Sequence, residues 1–159
     1  MQKSRILLYT DGAYSRLTGT GGCAFIAQYQ IYNEEHQVYQ LKKEGHGFQT
    51  IKDTTSNRME LQAVIDGLNF LKKPCNIIVI SDATYIVDTI NKWLGNFVKD
   101  RSRLNHDLMV DLHKAIKYHL DVEGLWIRGH NGNYCNERVN ELAQKAAGTY
   151  KGKGSSWFD

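Results

Sequence analysis

Three carboxylates stand where a folded chain seldom leaves a charge uncompensated. Asp11 follows the apolar run "ILLYT", Asp82 comes at the end of "NIIVIS", and Glu60 falls in the first turn of a helix in "SNRMELQA". A carboxylate shut away from water without a partner is strongly destabilising, or it gives up its charge. Taken singly, each has a plain structural explanation: an Asp at a strand end caps a turn or helix, and a Glu in a first turn answers the helix dipole. Together they suggest more. If the two strands are neighbours, Asp11 and Asp82 lie side by side at one end of the sheet, and the helix between them in the chain can present Glu60 to the same place. Like charges gathered so closely need a cation, and oxygen-only ligands select a hard ion such as Mg²⁺ or Mn²⁺. Two such ions, roughly 4 Å apart, can activate an attacking water and steady a leaving oxygen. The residues alone point to metal-dependent phosphodiester hydrolysis.

The elements that must carry these acids change period along the chain. "RILLYTDGAY", "CAFIAQYQIY" and "HQVYQLKKEGHGFQT" are strand candidates with short polar breaks, which predicts an antiparallel meander. From Asn57 to Lys72 the residues Leu61, Val64, Ile65, Leu68 and Leu71 form a helical stripe, with Thr54, Thr55 and Ser56 as cap candidates and Pro74 as its stop. "NIIVIS" is a strand covered on both faces. A helix from about Thr84 to Leu94, a polar loop "GNFVKDRSR", a helix from about His106 to His119, a fifth strand "VEGLWIRG" and a helix in "CNERVNELAQKAA" follow. Three strands and then β-α alternation predict an α/β fold, a mixed sheet with helices on both faces.

With 159 residues the chain has the length of one domain, taken here as 1–150 with a frayed tail over 151–159. A net charge of +3 permits a polyanionic partner without requiring one. A mean hydropathy of −0.48 and no long apolar run argue against a membrane span. The opening "MQKSRILLYTDG" is too short in apolar residues for a signal peptide, so a cytoplasmic, reducing location is expected. Cys23, Cys75 and Cys135 are then free thiols; a zinc site pairing one of them with His130 has little support from spacing.

The blocks "YTDGAY", "TGTGG", "TTSNRMELQAVIDGL", "ISDATYIVDTINKWL" and "WIRGHNGNYCNERVNELAQKAA" resemble, in order and spacing, the type 1 ribonuclease H family, from about Ile6 to Ala147. The resemblance implies a ribonuclease H-like fold with a five-stranded mixed sheet: an antiparallel meander, then parallel strands. It also implies hydrolysis of the RNA strand of an RNA–DNA hybrid to 5′-phosphate and 3′-hydroxyl ends, with two Mg²⁺ ions or Mn²⁺ in their place. By the same resemblance Asp11 bridges both ions and Glu60 and Asp82 complete the one near the leaving group. His130 is then the mobile loop histidine of proton transfer or product release, and Glu137 an acidic neighbour in proton and metal traffic. Gly12, Ser56 and Asn57 match minor-groove positions, Thr55 and Asn105 a pocket for a DNA phosphate, and Trp93 and Phe97 aromatics that pack on DNA sugars. Periodicity alone would place Trp93 in the core. A free-standing monomer is expected.

The chain departs from the family pattern at its fourth metal carboxylate, which falls on Asn140. A neutral amide can ligate Mg²⁺ but brings no charge, so weaker occupancy of one ion and reduced activity are expected, whether the Asn is natural or introduced. Asp53 stands where some relatives have an arginine, and "KDRSRLNH" is shorter than the basic protrusion of others, although Lys99, Arg101 and Arg103 remain. Two rival readings stay open: a ribonuclease H-like DNA endonuclease or resolvase, and a non-catalytic hybrid-binding protein.

Overall fold

Alternating burial along the first strand sets the architecture. In the computed structural model, which describes residues 3–129 and 131–152, β1 (Ser4–Tyr14) sends Ile6 and Leu8 to one core and Tyr9 to another. Residues one apart on a strand face opposite sides of the sheet, so β1 must be covered twice. It lies mid-sheet, with β2 (Gly21–Asn33), β3 (Val38–Ile51), β4 (Asn76–Ser81) and β5 (Asp121–Trp126), in the order β3-β2-β1-β4-β5. The first three strands pair antiparallel; β4 joins β1 and β5 joins β4 in parallel. The mixed five-stranded sheet is as expected.

One face packs against α1 (Ser56–Phe70), through Leu61, Val64 and Leu68, and α4 (His106–Tyr118) packs on α1, adding Met109 and Leu112 to the same core. The other face packs against α5 (Tyr134–Ala147), through Val139, Leu142 and Ala143. The cap of α1 is Thr55, whose hydroxyl accepts from the Arg58 N–H at 3.3 Å. Because the helix begins at Ser56, Glu60 lies in its second turn rather than its first, and proximity to the positive end of the dipole does not account for it.

The segment after β4 differs most from expectation. Helix α2 (Thr84–Asp88) widens into a π-helical turn at Thr89–Trp93 and continues as α3 (Leu94–Lys99), so "GNFVK" is helical rather than loop. The buried Thr89 hydroxyl donates to the Tyr85 carbonyl at 2.7 Å, a side chain entering the helical ladder. The wider turn shifts the phase of later residues, which is why Trp93 is 40% exposed instead of in the core. Asn91, in the same turn, bonds both peptide groups of Gly124 on β5: its amide donates to the carbonyl at 3.0 Å and its Oδ1 accepts from the N–H at 2.8 Å. His130 and residues 153–159, most of the expected tail, lie outside the described residues. Among the described residues no helix is long and apolar enough to cross a membrane.

Replacing Asn91 with Ala removes both bonds. A loss of about 1–2 kcal/mol is expected in urea denaturation, with the reacting acids untouched.

Candidate active site

The last paired residues of β1 and β4 are Tyr9 and Ile80. Carrying that register two residues further sets Asp11 opposite Asp82, so parallel pairing of two apolar strands is what juxtaposes the acids. Asp11 itself remains in β1, paired with Ala24 of β2. The third acid arrives with α1. A Cβ on Gly12 would stand 2.6 Å from the Glu60 backbone nitrogen and 2.7 Å from the Met59 carbonyl carbon, so only glycine lets the helix backbone lie this close to β1. The outcome is a cluster in which Asp11, Glu60 and Asp82 each offer an oxygen, all within 4.8 Å of one another.

Asp11 is 3% exposed. Its Oδ1 accepts from the Gly12 N–H at 2.9 Å and its Oδ2 from the Asn140 amide at 2.7 Å. Burial, then the Asp82 charge, push its pKa up to about 6, while the Asn140 and Gly12 bonds hold it down. Burial, followed by the charges of Asp11 and Asp82, raises Glu60 well above the usual carboxylate range. Glu60 Oε2 is sealed from solvent and has no hydrogen-bond partner. A buried acceptor without a donor, set among converging carboxylates, fits a hard divalent cation. Asn140 brings an amide whose nitrogen bonds Asp11, so the fourth position supplies a donor where a carboxylate would add charge.

The remaining expected residues lie in three places. Glu137, half-buried, sits in the first turn of α5, three residues before Asn140, and is not one of the clustered acids. Near the start of α1, Thr55, Ser56 and Asn57 are exposed. Arg58 draws Asn105 toward this end, its Nη1 donating to Asn105 Oδ1 at 3.4 Å. The same guanidinium grips Asp107 with two bonds, at 2.9 and 2.7 Å, and pulls the Asp107 pKa down to about 2. Trp93 and Phe97 have ring centroids 5.8 Å apart, and the Arg103 guanidinium lies 3.5 Å over the Phe97 ring. Trp93 is open to solvent, whereas Phe97 is buried and backs it. Two contacts were not foreseen from sequence. The Trp126 indole donates to the Asp82 carbonyl at 3.0 Å, and Arg58 links the starts of α1 and α4. Both require knowing which strands and helices are adjacent.

Without a bound cation, folded Asp11 keeps its proton to about pH 6, whereas in the unfolded chain it releases it near 3.8. Between those values the folded state binds more protons, so this stability contribution is present below the lower value and lost as pH rises through the upper one. Asp82→Asn removes one source of repulsion. In EDTA at pH 7.5 it should raise stability by about 1 kcal/mol, a gain that fades toward pH 4, read by thermal melting. Mn²⁺ should reverse the ranking at pH 7.5 by stabilising only the parent strongly.

The RNase H family model matches residues 3–148. The chain is 38% identical over 144 residues to ribonuclease HI of Campylobacter jejuni, covering 89% of this chain and 90% of that protein. It is 36% identical over 159 residues to ribonuclease H of Francisella tularensis, covering 96% and 97%. Among solved structures it is similar to LC9-RNase H1, described as a type 1 RNase H with the type 2 active-site motif. There the TM-score is 0.75 and the identity 25%, over 93% of this chain and 74% of that one. With its mixed sheet, its cluster of acids and these relatives, the chain belongs to the ribonuclease H family.

Proposed function

We propose that this protein is a divalent-metal-dependent endonuclease that hydrolyses the RNA strand of RNA–DNA hybrids, leaving 5′-phosphate and 3′-hydroxyl ends, at a rate reduced by Asn140. The observation that carries the reading is the convergence of Asp11, Glu60 and Asp82 around a buried, unpartnered Glu60 oxygen. Mg²⁺ or Mn²⁺ bound there would supply Lewis acidity toward an attacking water and a leaving oxygen. All three acids come from one chain, in keeping with a monomer.

The protein's own part is positioning. Asp11, Glu60 and Asp82 would hold the ions; Asn140 contributes an uncharged amide beside Asp11. His130 and Glu137 serve proton movement and product release. Ser56, Asn57 and the Gly12 backbone read 2′-hydroxyls across a wide, shallow minor groove, a form of recognition indifferent to base sequence. Thr55 and Asn105, gathered by Arg58, receive a phosphate of the DNA strand, and Trp93, backed by Phe97, packs on its sugars.

Labelled hybrid, duplex DNA and duplex RNA, each incubated with the protein in Mg²⁺, test this. Only the hybrid should be cut, and Asn140→Asp should raise kcat/KM roughly tenfold, equivalent to about 1.4 kcal/mol. Cleavage of duplex DNA alone would favour a DNA endonuclease. Hybrid binding with no cutting even by Asn140→Asp would favour a binding protein, the reading that Asn140 keeps in play. Because the expected contacts are to phosphates, hybrid affinity should fall steeply between 50 and 200 mM salt, by about tenfold or more. A flat salt dependence in fluorescence anisotropy would count against that mode of binding.

A further inference from the structure

Of the three clustered acids, Asp82 is the one held by a loop. Asp11 lies within a strand and Glu60 within a helix, but Asp82 follows the last residue of β4. What reaches it comes from the segment after β5. The Ile127 N–H donates to the Ser81 carbonyl at 3.0 Å, and the Trp126 indole to the Asp82 carbonyl at 3.0 Å. These bonds lay residues 126–129 along the end of β4 and bring Gly129 against the carboxylate. A Cβ at position 129 would stand 2.7 Å from Asp82 Oδ2 and 3.3 Å from both its Cβ and Cγ. Gly129 is not among the positive-φ glycines, so its backbone could carry a side chain. What residue 129 lacks room for is a methyl group beside Asp82.

We propose that Gly129 is a positioning residue for Asp82: the space left by its missing side chain is what allows the Asp82 carboxylate to point at Asp11 and Glu60. The inference rests on the reading that the cluster holds divalent ions, and concerns only how one ligand is aimed. The contrast with Gly12 shows why the two glycines differ in consequence. At Gly12 an added methyl meets helix backbone, which cannot yield without moving α1. At Gly129 the shortest contact is with the end of a short side chain, which can rotate, and the 3.3 Å approach to Asp82 Cβ asks for only a small shift. Substitution at 129 therefore turns the ligand aside and leaves the fold in place.

The experiment compares the parent, Gly129→Ala, Asp82→Ala and the double variant by Mn²⁺ calorimetry and by thermal melting with and without EDTA. Gly129→Ala should weaken Mn²⁺ binding about tenfold or more and shrink the metal-induced rise in Tm. Its melt in EDTA should stay within about 2 °C of the parent. In the Asp82→Ala background the same change should weaken Mn²⁺ binding no further, since the group it acts through is gone. Unchanged Mn²⁺ affinity, losses that add in the double variant, or a fall in EDTA as large as in metal would each overturn the assignment. A parent that takes up no Mn²⁺ at all would instead overturn the underlying reading of the acidic cluster.

Discussion

Like charges held a few ångströms apart, and partly out of water, are the constraint around which this protein is arranged. Nothing in the cores requires Asp11, Glu60 and Asp82 to meet; two apolar strands pair in parallel, a helix lies on a glycine, and the acids are carried to one place as a result. The hydrophobic energy of that packing is what sustains the repulsion when no cation is present. The raised pKa values of Asp11 and Glu60 record the repulsion, and the unpartnered Glu60 oxygen marks where compensation is missing. A site of this kind is unfavourable by itself and favourable when loaded, which is the usual relation between a binding site and the fold that supports it.

A second electrostatic arrangement, at the starts of α1 and α4, runs in the opposite direction. There Arg58 and Asp107 are paired and the Asp107 carboxyl is held low, so the link persists where Asp11 has become protonated. The surface proposed to receive the hybrid is thus pinned by opposite charges, while the cluster beside it is strained by like ones. Acidification acts on the two unequally: Asp107 keeps its charge to about pH 2, whereas Asp11 takes up its proton near pH 6.

Much of this could be read from the chain. The meander, the doubly covered β4 and the stripe of α1 follow from spacing, and Asp11 and Asp82 were visible because polar residues interrupt apolar runs. Less could be read where a feature depends on phase or on neighbours. The position of Glu60 turned on a one-residue shift in where α1 begins. Trp93 was mispositioned by periodicity because the helix widens into a π turn over Thr89–Trp93, which no 3.6-residue template contains. Asn140 was recognised as the odd residue at a ligand position, but its bond to Asp11 needed coordinates, since a strand and a helix 129 residues apart had to be brought together. Gly129 had no signal of its own; its spacing to Asp82 exists only once β5 lies beside β4.

The Asn91 amide on Gly124 carries one more implication. Edge strands display open hydrogen-bonding groups that invite a further strand, from another copy or from a peptide. On the β5 side the central peptide groups are already taken by a helix side chain imitating the missing neighbour. The opposite margin, β3, carries Lys42 and Lys43, and its pairing with β2 slips by one residue at Lys42, the kind of irregularity that bends an edge away from a flat partner. Both borders of the sheet thus carry features that discourage the addition of a further strand.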